Sequence, residues 1–209
     1  MSDVTNLDQV KEYFKNRIQE YGTSPRGADW NSDLSQNTRF DQLLKIITGS
    51  EPFSILDYGC SWGALADYLG TKGLKIAHYY GYDILESAID QARRHHAGKP
   101  NQIFTTKEDE LPVCDYVVAS GIFNFRGSQS FDAWTEYVTG VLKRFDALSQ
   151  KGFSSNFLTK YSDAGRMRPD LYYADPCFLF DYCKRNFSKN VALLHDYTIY
   201  DFTILVRKE

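Results

Sequence analysis

The chain has 209 residues, with 24 Lys and Arg against 27 Asp and Glu and a net charge of −3. It carries no basic excess with which to neutralise phosphates, so its charge argues against a nucleic-acid partner. No stretch approaches the 18 or so apolar residues of a membrane-spanning helix, and MSDVTNLDQVKEYFKNR at the start lacks the apolar core of a signal peptide. A cytoplasmic location is therefore expected, with no membrane partner. Cys60, Cys114, Cys177 and Cys183 have neither metal-site nor secreted-scaffold spacing and read as free thiols, so no metal is expected. Nothing in the sequence sets an oligomeric state.

Taken in order, Leu7, Val10, Tyr13, Phe14, Ile18 and Tyr21 recur at helical spacing, and Gly22 follows as a C-cap. A turn-rich stretch, 22–33, holds one large residue, Trp30. Ser35 opens a second helical pattern through Phe40, Leu43, Leu44, Ile46 and Ile47, closed by Gly49. Residues 1–50 thus read as a helical cap on a main unit of 51–209.

Phe53–Asp57 is the first strand, Trp62–Leu69 a helix and Ile76–Tyr82 the second strand. A helix from Glu86 to about His96 and a short third strand, Ile103–Thr105, come next. Val113–Ala119, almost wholly apolar, reads as a fourth strand buried on both faces. An amphipathic helix, Phe131–Leu148, precedes a fifth strand, Gly152–Thr159. A polar segment of 160–170 leads to a helix opened by Asp175-Pro176, with the proline where a first turn tolerates it. Val191–His195 and Tyr200–Val206 form a closing hairpin. Alternating strands and helices predict an α/β fold, a mainly parallel sheet with helices on both faces. The short final connection makes the last strand antiparallel, because a parallel return needs a crossover of a dozen residues or more.

The organising stretch is Asp57-Tyr58-Gly59-Cys60-Ser61-Trp62-Gly63. It places glycines at a strand–helix junction, where the backbone can take unusual angles and approach a ligand. Asp83 ends the second strand about two dozen residues later. In nucleotide-binding α/β folds an acid at about that spacing hydrogen-bonds a ribose.

At these residues the chain resembles the class I S-adenosylmethionine-dependent methyltransferases. Asp57 to Gly63 is similar to their first motif, with Ser61 where the family has a middle glycine. Asp83 matches their ribose-binding acid, and Cys114-Asp115-Tyr116-Val117-Val118-Ala119-Ser120-Gly121 resembles their fourth-strand motif. The resemblance implies a Rossmann-like seven-stranded sheet with an antiparallel C-terminal strand and an N-terminal cap over the cofactor. It also implies S-adenosyl-L-methionine as cofactor, with S-adenosyl-L-homocysteine as product.

On this reading the cofactor residues are Asp57, which orders the glycine loop, Gly59, Cys60, Ser61, Gly63, Asp83, Ile84 against adenine, Glu108 or Asp109 toward its amino group, Ser120 and Gly121. Trp30 and Arg39 come from the cap, Arg39 having the planar fork that suits a methionine carboxylate. Phe123, Asn124, Tyr161, Arg166, Tyr172 and Tyr173 are candidates for the acceptor side. Asn124 could position the acceptor, and His195 is a candidate general base. Ser120-Gly121-Ile122-Phe123-Asn124-Phe125 is not the Asn/Asp-Pro-Pro-aromatic motif of enzymes that methylate nucleobase or glutamine nitrogens. The expected function is methyl transfer to an oxygen or nitrogen of a small molecule. The alternatives are a catalytically silent cofactor-binding subunit and, with Ser61 against it, a nicotinamide-dependent oxidoreductase.

Overall fold

A computed structural model describes residues 7–208. The chain runs α1 (Asp8–Tyr21), α2 (Asp33–Leu44), β1 (Phe53–Tyr58), α3 (Ala64–Thr71), β2 (Ile76–Tyr82), α4 (Glu86–His95) and β3 (Gln102–Thr105). It continues through β4 (Cys114–Ala119), α5 (Phe131–Leu148), β5 (Ser149–Thr159), β6 (Tyr173–Ala174), α6 (Pro176–Asn186), β7 (Asn190–Leu194) and β8 (Asp201–Arg207).

The strands form one sheet in the order β3-β2-β1-β4-β5-β8-β7, with the two-residue β6 beside the end of β5. Only β8 runs against the rest: it pairs antiparallel with both β5 and β7. The expected α/β architecture is therefore present, and β6 adds an eighth strand that two residues could not announce by periodicity. The strand order reverses between β1 and β4, where such sheets open a crevice beyond their carboxyl ends.

Alternation along β1 explains why helices cover both faces. Ile55 packs into a cluster with Phe40, Leu43, Leu65 and Ile89 from α2, α3 and α4. Leu56 and Tyr58 point the other way, into a cluster with Trp134, Val138, Phe145 and Leu179 from α5 and α6. Side chains along a strand point to opposite faces in turn, so a strand buried on both sides must be apolar at nearly every position. The helix α2 is tied to the sheet: Ser154 Oγ in β5 donates to the Leu43 carbonyl in α2 at 2.9 Å.

Several boundaries move for identifiable reasons. Ser32, not Ser35, caps α2, its Oγ accepting the Ser35 amide at 3.2 Å, so Ser35 lies inside the helix. β5 starts at Ser149, directly after α5, because Cys114 already pairs with Ser149 across the sheet. The β7–β8 connection is longer than the sequence implies, since β7 ends at Leu194 and β8 starts at Asp201. Asp175 caps α6 as expected, accepting the Cys177 amide at 2.9 Å ahead of Pro176. Among the described residues no helix is long and apolar enough to cross a membrane.

Candidate active site

The floor of the site is the β1–α3 loop. Gly59 has φ +86° and Gly63 φ +89°, angles in the left-handed region where a side chain is strained. Each is also crowded: a Cβ on Gly59 would lie 2.2 Å from the Ile122 methyl, and one on Gly63 2.5 Å from His96 Nε2. Ser61, in the middle-glycine position, has φ +49° and so takes up the glycine conformation despite its side chain. The amides of Gly59 and Cys60 both donate to the Tyr82 carbonyl, at 2.7 and 2.9 Å, which fastens the loop to the end of β2.

Asp83 completes this floor. Its carboxylate accepts the Ser61 amide at 2.9 Å and the Leu85 amide at 3.0 Å. Burial pushes its carboxyl above the usual carboxylate range, and those amides oppose the shift. Asp57, beneath the loop, is buried and accepts the Tyr79 hydroxyl at 2.6 Å. Burial pushes Asp57 up to about 7; the Tyr79 hydrogen bond opposes this and the Asp83 charge adds to it. Asp57 thus braces β1 against β2 under the loop. Cys60 is buried, and burial raises its thiol well above the ordinary value, so it stays protonated.

The roof comes from the N-terminal segment. Val10, Phe14 and Ile18 of α1, Trp30, and Gln36 and Phe40 of α2 close a cavity over Gly59, Ser61, Asp83, Ile84, Ser120 and Gly121. Tyr13 stacks on Phe125 with ring centroids 4.0 Å apart, and Gln9 Oε1 accepts the Ser128 amide at 2.9 Å, fixing α1 to the loop after β4. Trp30 is 8% exposed and lies over Gly121, where a Cβ would come within 2.3 Å of the indole. Gly121 has φ +72°, so both sterics and backbone demand glycine there. Two polar atoms of cavity-lining residues, Ser120 Oγ and Trp62 Nε1, are buried without a hydrogen-bond partner among the described residues. At the α5 side the cavity is lined by Tyr58, Tyr82, Trp134 and Tyr137. Burial raises all three phenols, Tyr82 to about 12, with the Glu108 charge contributing to each, so their hydroxyls stay neutral.

The remaining sequence candidates divide by place. Ile84 lines the cavity; Glu108 does not, and its carboxylate lies 3.6 Å from Arg144. Arg39 is turned away from the cavity lining: its guanidinium binds Asp201 at 2.9 and 2.5 Å, and its third nitrogen bonds Ser35. Phe123 is wholly buried and stacked on Phe157 at 5.1 Å, a core residue and not a pocket wall. Tyr172 is likewise core, its hydroxyl bonded to Thr135 at 2.9 Å. Tyr173 accepts the Arg168 amide at 2.9 Å on a separate surface depression. Tyr161 and Arg166 are exposed, and so is His195, whose ring lies 5.9 Å from that of Tyr161; none of the three lines the cavity. Asn124 sits just behind Gly121, donating its amide to the Gly121 carbonyl at 3.2 Å, and its Oδ1 is buried without a partner among the described residues.

The sequence places α1 in the cap but does not single out Val10, Phe14 and Ile18 as cavity wall, nor Tyr58 and Tyr137 beside Tyr82. The α1 residues carry only the periodicity of any amphipathic helix, and which surface they cover is decided by tertiary packing. The three tyrosines become neighbours because β1, β2 and α5 meet there. Gln36, within the 30–40 segment whose polar side chains suit a lid, is buried and lines the cavity.

This fold, with a glycine loop after β1 and an acid ending β2, is that of the class I S-adenosylmethionine-dependent methyltransferases. The N-methyltransferase NodS from Bradyrhizobium japonicum WM9, in complex with S-adenosyl-L-homocysteine, superposes with a TM-score of 0.66 at 12% identity, over 96% of this chain and 98% of that one. The apo form of the S-adenosylmethionine-dependent methyltransferase SibL gives 0.65 at 12% identity, over 88% of this chain and 57% of that one. A chain of the Pnkp1/Rnl/Hen1 RNA repair complex gives 0.62 at 15%, over 96% of this chain and 47% of that one. At these identities the likeness is one of fold. No protein-family model matches the chain. The Mycobacterium tuberculosis (strain ATCC 25618 / H37Rv) protein named "Putative methyltransferase Rv1506c" is 48% identical over 165 residues, 79% of this chain and 99% of that protein. The chain belongs to the methyltransferase family of that relative.

Proposed function

We propose that this chain binds S-adenosylmethionine in the roofed cavity and directs its methyl group to an oxygen or nitrogen of a small-molecule acceptor. The observation that carries the reading is Asp83, half-buried in the cavity floor with its carboxylate fixed by the Ser61 and Leu85 amides. A carboxylate so held keeps lone pairs free for ribose hydroxyls, and the bonded amides stop it from turning away. The residues present fit the cofactor in other ways too. The orphaned Ser120 Oγ and Trp62 Nε1 need partners, and a polar ligand in the cavity would supply them. Ile84 and Leu85 offer an apolar surface for adenine, and Gly59, Ser61 and Gly121 present backbone for close approach.

When bound, S-adenosylmethionine supplies an electrophilic methyl group and departs as a neutral thioether. What is left for the protein is alignment and exclusion of water. Trp30 and the inward face of α1 close the cavity against solvent, and Asn124, with an unused acceptor oxygen at the β4 exit, orients the acceptor. The small-molecule class is favoured by the enclosure of the cavity beneath α1 and α2 and by the net charge of −3. The test is incubation with S-adenosylmethionine and a panel of small amines, alcohols and phenols, with products read by mass spectrometry. Methylated small molecules are expected. Methylation confined to RNA or protein in parallel incubations would overturn the acceptor class.

A further inference from the structure

Outside the cavity, α3 and α4 bring three metal-ligating side chains together. Asp67 lies in α3, His95 ends α4 and His96 caps it. His95 Nε2 is 2.6 Å from Asp67 Oδ2, His96 Nδ1 is 3.8 Å from Asp67 Oδ1, and ligating atoms of all three residues fall within 4.8 Å of one another. Two neighbours set how these donors are used. His96 Nε2 lies 3.2 Å from the Gly63 carbonyl, an acceptor only, so that nitrogen carries the proton and Nδ1 keeps its lone pair toward Asp67. Metal-ligating histidines are held in this way, the second ring N–H donated to a carbonyl or carboxylate. The Lys99 ammonium stands 3.6 Å from Asp67 Oδ1 and 3.5 Å from His96 Nδ1, so a cation already sits beside the same donors. Its side chain is 48% exposed and free to withdraw into water.

We propose that Asp67, His95 and His96 form a binding site for a divalent transition-metal ion of the zinc class, which displaces Lys99. Two imidazoles and a carboxylate match the nitrogen and oxygen donors that zinc accepts, with water completing a tetrahedral set. Through His96 and the Gly63 carbonyl the site reaches the loop that floors the cavity. A metal on Nδ1 polarises and fixes the imidazole that holds Gly63, so metal occupancy and cofactor affinity are coupled, each changing the other by the same factor. The coupling rests on the cofactor reading above; the metal site itself does not.

The test uses untagged full-length protein, without cofactor, titrated with Zn²⁺ against a chromogenic chelator and with Co²⁺ followed by visible absorption. One equivalent should bind in wild type, with a Co²⁺ spectrum of low coordination number, and binding should be lost in His95→Ala and Asp67→Asn proteins whose circular dichroism is unchanged. Lys99→Ala should bind about tenfold more tightly, because a like charge beside the site is removed. No stoichiometric binding in wild type, or binding indifferent to Lys99→Ala and His95→Ala, would overturn the site. Equal S-adenosylhomocysteine affinity with and without bound Zn²⁺ would overturn the coupling and leave the site standing.

Discussion

Arg39 and Asp201 form a buried, two-pronged ion pair, Nε to Oδ2 at 2.9 Å and Nη2 to Oδ1 at 2.5 Å, with side chains 7% and 0% exposed. Asp201 Oδ2 also accepts Asn156 Nδ2 at 2.7 Å, and Asn156 Oδ1 accepts the Gly121 amide at 3.0 Å. Three side chains thus connect α2 of the roof to the β4 exit. Removing one member of a buried pair leaves the other charge uncompensated, at a cost of about 3–5 kcal/mol. Arg39→Met should therefore lower unfolding stability by roughly that amount in urea titrations. Unchanged stability with a selective loss of S-adenosylhomocysteine over adenosine affinity would make Arg39 a carboxylate ligand instead.

Trp30 lies over Gly121, and a methyl group on Gly121 would occupy the space of the indole edge. Gly121→Ala should displace the ring and strain a backbone at φ +72°. The expected result is faster amide exchange across residues 30–40 and at least about tenfold weaker S-adenosylhomocysteine binding, with the fold intact. Exchange unaltered in the variant would remove Trp30 and Gly121 as the closure of the cavity.

Asp57 gives the fold a pH dependence of definite sign. Its carboxyl is pushed up to about 7 in the folded protein from 3.8, so in that window the native state holds a proton that the unfolded chain has released. Stability should fall as pH rises from about 4 to about 7 and level off above. Asp57→Asn keeps an acceptor for the Tyr79 hydroxyl and has no charge to bury. It should be more stable than wild type at pH 8 and show a flatter profile, with a residual slope of the same sign from Asp83. Denaturant midpoints at pH 5 and pH 8 check this; a wild-type protein that gains stability between them contradicts it.

Asn124 and His195 should behave oppositely. Asn124 Oδ1 is buried and unpartnered behind Gly121, and loss of a hydrogen bond to a bound acceptor costs about 1–2 kcal/mol. Asn124→Ala should lower turnover roughly five- to thirtyfold with cofactor affinity nearly kept. His195 is exposed beside Tyr161 and away from the cavity lining. His195→Ala should leave turnover unchanged, and a large loss of turnover with the fold and cofactor affinity kept would restore it as a base.

Much of the fold is written in periodicity: β4 and α5 have patterns that admit one reading, and each forms within a residue of its expected bounds. The glycine loop and Asp83 were legible because the chemistry sits in adjacent chain segments. Phe123 and Tyr172 were not, since an aromatic near a strand end looks the same whether it lines a cavity or fills the core. Arg39 finds Asp201 across most of the chain, a pairing that no local pattern encodes. Ser61 shows the limit from the other side: a serine where the family has a glycine does not reveal that the loop takes up the glycine conformation, which the surrounding hydrogen bonds impose.

The most direct measurement is calorimetric titration of S-adenosylhomocysteine into wild type and Asp83→Ala, with thermal unfolding of both to confirm the fold. Two hydrogen bonds from ribose to a charged acceptor are each worth about 1.5–3 kcal/mol. Wild type should bind one equivalent, and Asp83→Ala should bind at least about a hundredfold more weakly. No binding to wild type, or equal affinity in a folded Asp83→Ala protein, would contradict a cofactor site built on Asp83.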